Sequence, residues 1–285
     1  MKKLLVLSGK GGTGKTTVTS SLIHFEQAKY YADCDVDAPN LHLAVGEETS
    51  GASRDFLGSK KAFINKDKCS GCGMCELCCR FHAVEQREDT WHINEFACEG
   101  CGVCSYVCPE EAVEMKEDVA GTLMLYEGET IFSTAKLKMG RGNSGKLVSE
   151  VKKALLPYED EDALAIIDGS PGTGCPVIAS LSGVDLALVV TEPTKSGMSD
   201  LQRVLRTISL SFVKAAVCVN KYDIDEAQTE EIKKYCAEQG IPYVGSIPYD
   251  PEVSKAVNNG RCIAEIDCIA RDAIHKIYQE VKKHL

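Results

Sequence analysis

The stretch Gly9-Lys10-Gly11-Gly12-Thr13-Gly14-Lys15-Thr16 narrows what this chain can fold into more than any other feature. It follows the apolar run Leu4-Leu5-Val6-Leu7 and leads into a segment expected to be helical. Glycines at 9, 11, 12 and 14 let successive backbone N–H groups turn inward, the arrangement that cradles a phosphate at a helix N-terminus. The spacing matches the eight-position phosphate-binding loop, a motif that requires a strand before it and a helix after it. On this reading Gly9 through Thr16, with Thr17 behind them, surround a nucleotide's phosphates. Lys15 reaches the β- and γ-phosphates, and the Thr16 hydroxyl ligates Mg²⁺. A glycine-rich hairpin turn is the plain structural alternative.

The rest of the chain is consistent with that start. A second strand ends in Asp33-Cys34-Asp35, and the run Ala163-Leu164-Ala165-Ile166-Ile167 closes on Asp168. Leu186 to Val190 and Ala215 to Val219 are further continuous apolar runs, as strands buried on both faces are. A helix is expected from about Lys146 to Leu156, and a short strand region with one closing helix over 241–285. Strands alternating with helices predict an α/β fold, a mostly parallel P-loop NTPase sheet covered by helices on both faces.

That pattern breaks in the middle, where cysteine and charge replace apolar runs. We expect an α/β domain in two parts, residues 1–62 and 119–285, with residues 63–118 as an inserted α+β module resembling a bacterial ferredoxin. Fifteen cysteines would suggest disulfides in a secreted chain, but most of these are crowded at two-residue gaps, which is metal-ligand spacing. Cysteines 69, 72, 75 and 79 recur at 98, 101, 104 and 108, and residues 82–89 recur at 111–118 with the same displacement, so the insert is a tandem duplication.

Each half has the run C-x2-C-x2-C-x3-C of two-cluster ferredoxins, in which the fourth cysteine ligates the other cluster. The expected sets are therefore Cys69, Cys72, Cys75 and Cys108 for one [4Fe-4S] cluster and Cys98, Cys101, Cys104 and Cys79 for the other. Zinc would not need a third cysteine and a fourth after three residues in both copies. Pro109 follows Cys108 as the pattern asks, whereas Arg80 stands after Cys79 and puts the turn there in doubt. Cys78 competes with Cys79, but it aligns with Val107 in the repeat.

Charge bounds the partners. With 32 basic against 42 acidic side chains the net charge is -10, which opposes binding to nucleic acid or an anionic membrane. No apolar run reaches the eighteen residues or so that cross a bilayer, and Met1–Leu7 meets Ser8 and Gly9 too early for a signal peptide. A reducing cytoplasm is the expected compartment.

Lys10, a second lysine early in the loop, makes the motif similar to the deviant Walker A family, KGGxGKT. That family includes the nitrogenase iron protein, the ParA and MinD positioning ATPases and the Mrp iron-sulfur carriers. The resemblance implies an ATP-sandwiched homodimer in which Lys10 contacts nucleotide in the partner copy. It further implies that Asp168 is the Walker B acid holding Mg²⁺ through water, that Gly172 belongs to the second switch, and that Asp35 orients the attacking water. Asp33 and Asp37 are equally consistent with capping turns or helices. Asn220-Lys221-Tyr222-Asp223 resembles the guanine-reading NKxD loop, yet in MinD-like and Mrp-like proteins the matching Asn meets adenine. The expectation is ATP, with Asp223 structural.

The combination resembles MinD/Mrp-type ATPases with an inserted ferredoxin domain over essentially the whole chain. The expected function is an ATP-gated electron-transfer protein serving an unknown redox partner. The alternatives are an ATP-dependent carrier that passes a cluster to an acceptor protein and, less favoured, a ParA/MinD-like positioning ATPase. Cys175 lies seven residues after Asp168, where the nitrogenase iron protein has a cluster ligand, but no second cysteine accompanies it. Cys34, Cys218, Cys236, Cys262 and Cys268 suit small core positions. Gly140-x-Gly142-x-x-Gly145 spells a dinucleotide fingerprint without a clear strand before it, and the apolar stripe of the last helix is expected to face the core.

Overall fold

The computed structural model describes residues 1–46, 51–87, 90–158 and 160–285. In chain order the elements are β1 (Lys2–Leu7), α1 (Lys15–Glu26), β2 (Tyr30–Asp33), α2 (Leu41–Val45), β3 (Ala52–Leu57), β4 (Lys61–Ile64), α3 (Met74–Leu77), β5 (Val84–Arg87), β6 (Thr90–Ile93), α4 (Val103–Tyr106), β7 (Val113–Lys116), β8 (Val119–Glu127) and β9 (Ile131–Leu137). There follow α5 (Ser144–Lys153), β10 (Leu164–Asp168), α6 (Cys175–Leu181), β11 (Leu186–Thr191), α7 (Lys195–Leu210), β12 (Lys214–Asn220), α8 (Glu226–Glu238), β13 (Tyr243–Ile247), α9 (Pro251–Asn258) and α10 (Ile269–Lys282). The chain divides into two compact units, one of Met1–Ser53, Leu123–Lys136 and Ser144–Leu285, the other of Arg54–Thr122 and Leu137–Asn143. Glu88 and Asp89, which end the first copy of the repeat, lie outside the described residues.

The large sheet has the order β13-β12-β11-β1-β10-β2-β9-β8-β3. Every pairing from β13 across to β9 is parallel. Leu4, Leu5, Val6 and Leu7 are all fully buried. Side chains alternate between the faces of a strand, so a run with no exposed member needs helices on both sides. β1 lies between β10 and β11, which brings the loops after β1, β2, β10, β11 and β12 to one end of the sheet. Ligands of open parallel sheets bind at that carboxyl end.

Two expectations about elements need correction. The helix expected over Lys146–Leu156 is Ser144–Lys153, followed by a short 3₁₀ turn at Leu156–Tyr158, because Pro157 has no N–H to donate four residues back to Lys153 and cannot continue the α-helix. The single closing helix is two, α9 and α10. Asp250 starts both, accepting from the backbone N–H of Glu252 at 3.0 Å and of Ala270 at 3.2 Å, and Pro251 is preset for a first helical position. Cys268 packs partly buried against the core and is also the N-cap of α10, its sulfur accepting from Arg271 N–H at 3.4 Å.

Lys152 ends α6 from outside. Its half-buried ammonium donates to the carbonyls of Ala179, Ser180 (2.6 Å) and Ser182, which a helix C-terminus otherwise leaves without partners. Lys152→Met keeps the length of the side chain and removes the donor. It is expected to lower stability in urea by about 1–3 kcal/mol with the slope unchanged.

The second unit is built from short pieces. β4 pairs antiparallel with β7, and β5 with β6, in two separate two-stranded sheets. α3 and α4 each carry the third cysteine of one run, Cys75 and Cys104. Their core is small, chiefly Ala62, Ile64, Ala83, Val84 and Val113 together with Cys75 and Cys98. Gly140-x-Gly142-x-x-Gly145 does follow a strand, β9, contrary to the sequence reading. Its Arg141 is nevertheless tied to Glu95 and, at 3.2 Å, to Asp118, so the turn serves internal ion pairs.

Candidate functional site

The glycine-rich loop delivers α1 with its N-terminus open. Gly14 is the N-cap with no side chain to offer, and the first turn contains no acidic residue that would compete with an anion. Gly14 has φ 89°, and a Cβ there would lie 2.3 Å from Asn220 Nδ2, so glycine is required on two counts. The Thr13 hydroxyl is buried with no hydrogen-bond partner among the described residues, a polar group that a phosphate oxygen in the loop would satisfy.

Asp168 collects the chemistry at the end of β10. It is fully buried, and Lys15 Nζ lies 2.8 Å from its Oδ2. Thr16 Oγ1 donates to the same oxygen at 2.8 Å, and Thr19 Oγ1 donates to Oδ1 at 2.7 Å. Asn40 Oδ1 lies 3.2 Å from the same Thr16 hydroxyl. Lysine, threonine and acid thus meet at one point, and Thr19 is an additional partner that its spacing did not reveal.

Parallel register sets Asp33 on β2 beside Asp168. Burial and the Asp168 charge push the Asp33 carboxyl up from the ordinary value, against the pull of backbone N–H donors and Lys15. Asp33 accepts from Asp35 N–H (2.9 Å), Asn40 N–H (2.9 Å) and Leu41 N–H (3.0 Å), so it folds the 34–41 loop around itself. Asp35 is more exposed. Burial raises its pKa as well, with Lys15 opposing, and it occupies the same loop, as do Asp37 and Asn40. Gly172 has φ 95°, and its N–H donates to Ser8 O at 2.9 Å, linking the loop after β10 to the start of the phosphate loop.

Lys10 is held within its own chain. Its Nζ lies 3.4 Å from Glu192 Oε2 and 3.5 Å from Ser196 Oγ, while the other oxygen of Glu192 takes Lys221 Nζ at 2.8 Å. Nothing in the sequence marked Glu192, which sits after β11. Asn220 donates from Nδ2 to Thr13 O at 2.8 Å and accepts from Lys221 N–H at 3.0 Å, so its amide braces the phosphate loop. Asp223 accepts from Tyr249 N–H at 2.7 Å and joins the loops after β12 and β13.

In the second unit the eight cysteines of the repeat line two cavities. Cys79, Cys98, Cys101 and Cys104 share one with Ala62 and Phe81, and Cys69, Cys72, Cys75 and Cys108 share the other with Trp91. Each encloses roughly 300–350 Å³ free of protein atoms, open mouths included. Ala83 N–H donates to Cys79 Sγ at 3.4 Å and Ala112 N–H to Cys108 Sγ at 3.3 Å, the same bond in both copies. Burial raises the Cys75 thiol, and Cys69 and Cys108 add to that; burial likewise raises Cys104, with Cys98 and Cys101 adding. Four sulfurs that repel one another as thiolates, with N–H donors aimed at them, suit a cationic iron core. Among the described residues no three His, Cys, Asp or Glu side chains close on a single ion. Ligands of a cubane bind four different irons and stand farther apart than ligands of one ion.

The turns after the fourth cysteines are alike. His82 has φ 49° and Glu111 φ 48°, and each donates its N–H to the carbonyl of the cysteine three residues before, so Arg80 does for its turn what Pro109 does for the other. Cys78 lines neither cavity. Cys175 is exposed at the start of α6, and Cys34, Cys218, Cys236 and Cys262 are buried. Among the described residues no helix is long and apolar enough to cross a membrane.

The model of the CobQ/CobB/MinD/ParA nucleotide-binding domain matches residues 4–263. An uncharacterised protein of Methanocaldococcus jannaschii is 32% identical over 99% of this chain and 97% of its own length. A Drosophila melanogaster homologue of the cytosolic Fe-S cluster assembly factor Nubp1 is 24% identical over 98% of this chain and 80% of its own. Among solved structures, the cell division ATPase MinD of Pyrococcus furiosus superposes with a TM-score of 0.58 at 19% identity, covering 100% of this chain and 99% of its own.

Proposed function

The chain belongs to the CobQ/CobB/MinD/ParA family of nucleotide-binding domains, and on that premise we propose that it is an ATP-hydrolysing iron–sulfur protein that couples a nucleotide-driven switch to electron transfer. The observation that carries this reading is the pair of four-cysteine cavities on a chain that also presents a phosphate loop. Cys79, Cys98, Cys101 and Cys104 would hold one [4Fe-4S] cluster, and Cys69, Cys72, Cys75 and Cys108 the other. When bound, each cluster supplies storage for one electron.

The chain's own residues supply the switch. The loop from Gly9 to Thr17 orients the triphosphate, Lys15 neutralises charge on the transferring phosphoryl group, and Thr16 with Asp168 would hold Mg²⁺. Asp35 orients the attacking water. Lys10 reaches the nucleotide of a second copy once it leaves Glu192, so the ATP state is a homodimer. Glu192 gives that step a cost, which ATP binding offsets. The partner is a redox protein of the cytoplasm, with no role for nucleic acid or membrane.

The name of the Drosophila relative favours a second reading, transfer of a cluster instead of an electron. One experiment separates them. The chain is loaded anaerobically with iron and sulfide to about eight irons, reduced, and incubated with Mg-ATP and either an oxidised electron acceptor or a cluster-free acceptor protein. The expected result is oxidation with iron retained. Loss of iron to the acceptor protein would establish the carrier, and a chain that binds no iron would refute both.

A further inference from the structure

The internal duplication makes the two cysteine cavities near copies, so the places where they differ stand out. The interval relating Cys69 to Cys98 also relates β4 to β6, and it sets Lys61 against Thr90. Lys61 is partly buried, and its ammonium donates to the carbonyl of Cys98. Its counterpart is uncharged. The Thr90 hydroxyl lies 3.3 Å from Arg87 O and 3.0 Å from His92 Nε2, within its own hairpin. One cavity therefore has a cation bonded to the backbone of its first cysteine, and the other has none at the matching position.

We propose that Lys61 raises the reduction potential of the cluster held by Cys79, Cys98, Cys101 and Cys104, and so makes the two clusters inequivalent. The proposal rests on the iron–sulfur reading above. Reduction by one electron adds one negative charge to a cluster, and a fixed cation nearby favours the more negative state. Hydrogen bonding through the Cys98 carbonyl fixes the ammonium in place.

The acids in the two linings match, whereas Lys66 and Lys68 precede Cys69 where Glu95 and Ala97 precede Cys98. Each cavity includes a single acid in its lining, Glu99 in one and Glu110 in the other. Glu95 also faces Lys61, but its carboxylate is bound first to Arg141, which pairs with Asp118 too. Lys61 and Arg141 together balance Glu95 and Asp118. Without Lys61 that group is left with a net negative charge beside Cys98, which opposes reduction.

The test is a dithionite titration of the anaerobically loaded full chain, followed by EPR, in wild type, K61M, K61R and T90K, with iron counted first. In K61M one midpoint is expected to fall by at least 59 mV, a tenfold change in a one-electron equilibrium, while the other stays. K61R keeps both wild-type values. T90K, which puts a cation at the matching position, raises the midpoint that K61M leaves alone. Midpoints that move together in K61M, or not at all with iron intact, would overturn the proposal. Should K61M lose iron, T90K decides, and unchanged midpoints there overturn it equally. A wild-type chain that takes up no iron would sink the cluster reading first and this inference with it.

Discussion

Lys15→Ala is expected to lower nucleotide hydrolysis by at least about 10³-fold, the scale of losing a positioned cation on the transferring phosphoryl group. The same change should destabilise the protein purified without nucleotide by about 3–5 kcal/mol, because it strips a buried acid of its partner. Lys15 and Asp168 are both buried, at 6% and 0% exposure, and Asp33 sits beside Asp168 in register. Two carboxylates then face each other with no ammonium between them. The hydroxyls of Thr16 and Thr19 still donate to Asp168, which keeps the loss within that range.

The relief open to such a pair is to keep a proton, and this gives the prediction a sign. Asp33 is already raised above 3.8 by burial and by Asp168, with Lys15 among the groups that lower it. Without Lys15 it rises further, so the folded state holds a proton that the unfolded state releases above about pH 4. Stability of Lys15→Ala should be greatest at low pH and fall as pH rises through the raised pKa, more steeply than in wild type. Urea melts across pH 4–8 measure it. A variant that lost hydrolysis with an unchanged pH slope would show that the ammonium acts on phosphate alone.

What was legible in the sequence was whatever is local or repeated. The phosphate loop is one contiguous string between a strand and a helix, so Gly14, Lys15 and Thr16 were identifiable from spacing. Asp168 stood out because an acid closed an apolar run, and β1 and β10 pair in the register that puts it against the loop. The duplicated cysteines announced themselves by interval. By contrast, Glu192 lies far along the chain from Lys10, and only the parallel sheet order brings β11 next to β1. Lys61 carried no signal in the sequence, and only the fold sets it against Cys98. The bracing of the phosphate loop by Asn220 was hidden for the same reason, since a polar residue after a strand reads as a ligand contact or as scaffold with equal ease.

Cysteine replacements in pairs should give the largest change in cofactor content and a pattern that only crossed ligation produces. Cys79→Ala or Cys98→Ala alone should each reduce iron from about eight to about four per chain. The double variant C79A/C98A should still hold about four, because both residues line one cavity although they come from different copies of the repeat. C69A/C79A removes two cysteines of the same copy but one from each cavity, and should hold almost none. Were each contiguous run to hold its own cluster, the two doubles would trade results. Alanine is the right replacement, since a serine oxygen can itself bind iron. On the iron–sulfur reading the crossing would have a physical origin, since three cysteines at two-residue gaps would serve one cluster and the fourth the other. His82 and Glu111, both at positive φ, turn the chain after each fourth cysteine, and the next two residues, Ala83–Val84 and Ala112–Val113, line the same cavity as that cysteine. With so few apolar residues in that core, bound iron would, on the iron–sulfur reading, supply much of what holds it together. C69A/C79A should accordingly be cut by protease within 54–122 under conditions that leave C79A/C98A largely intact.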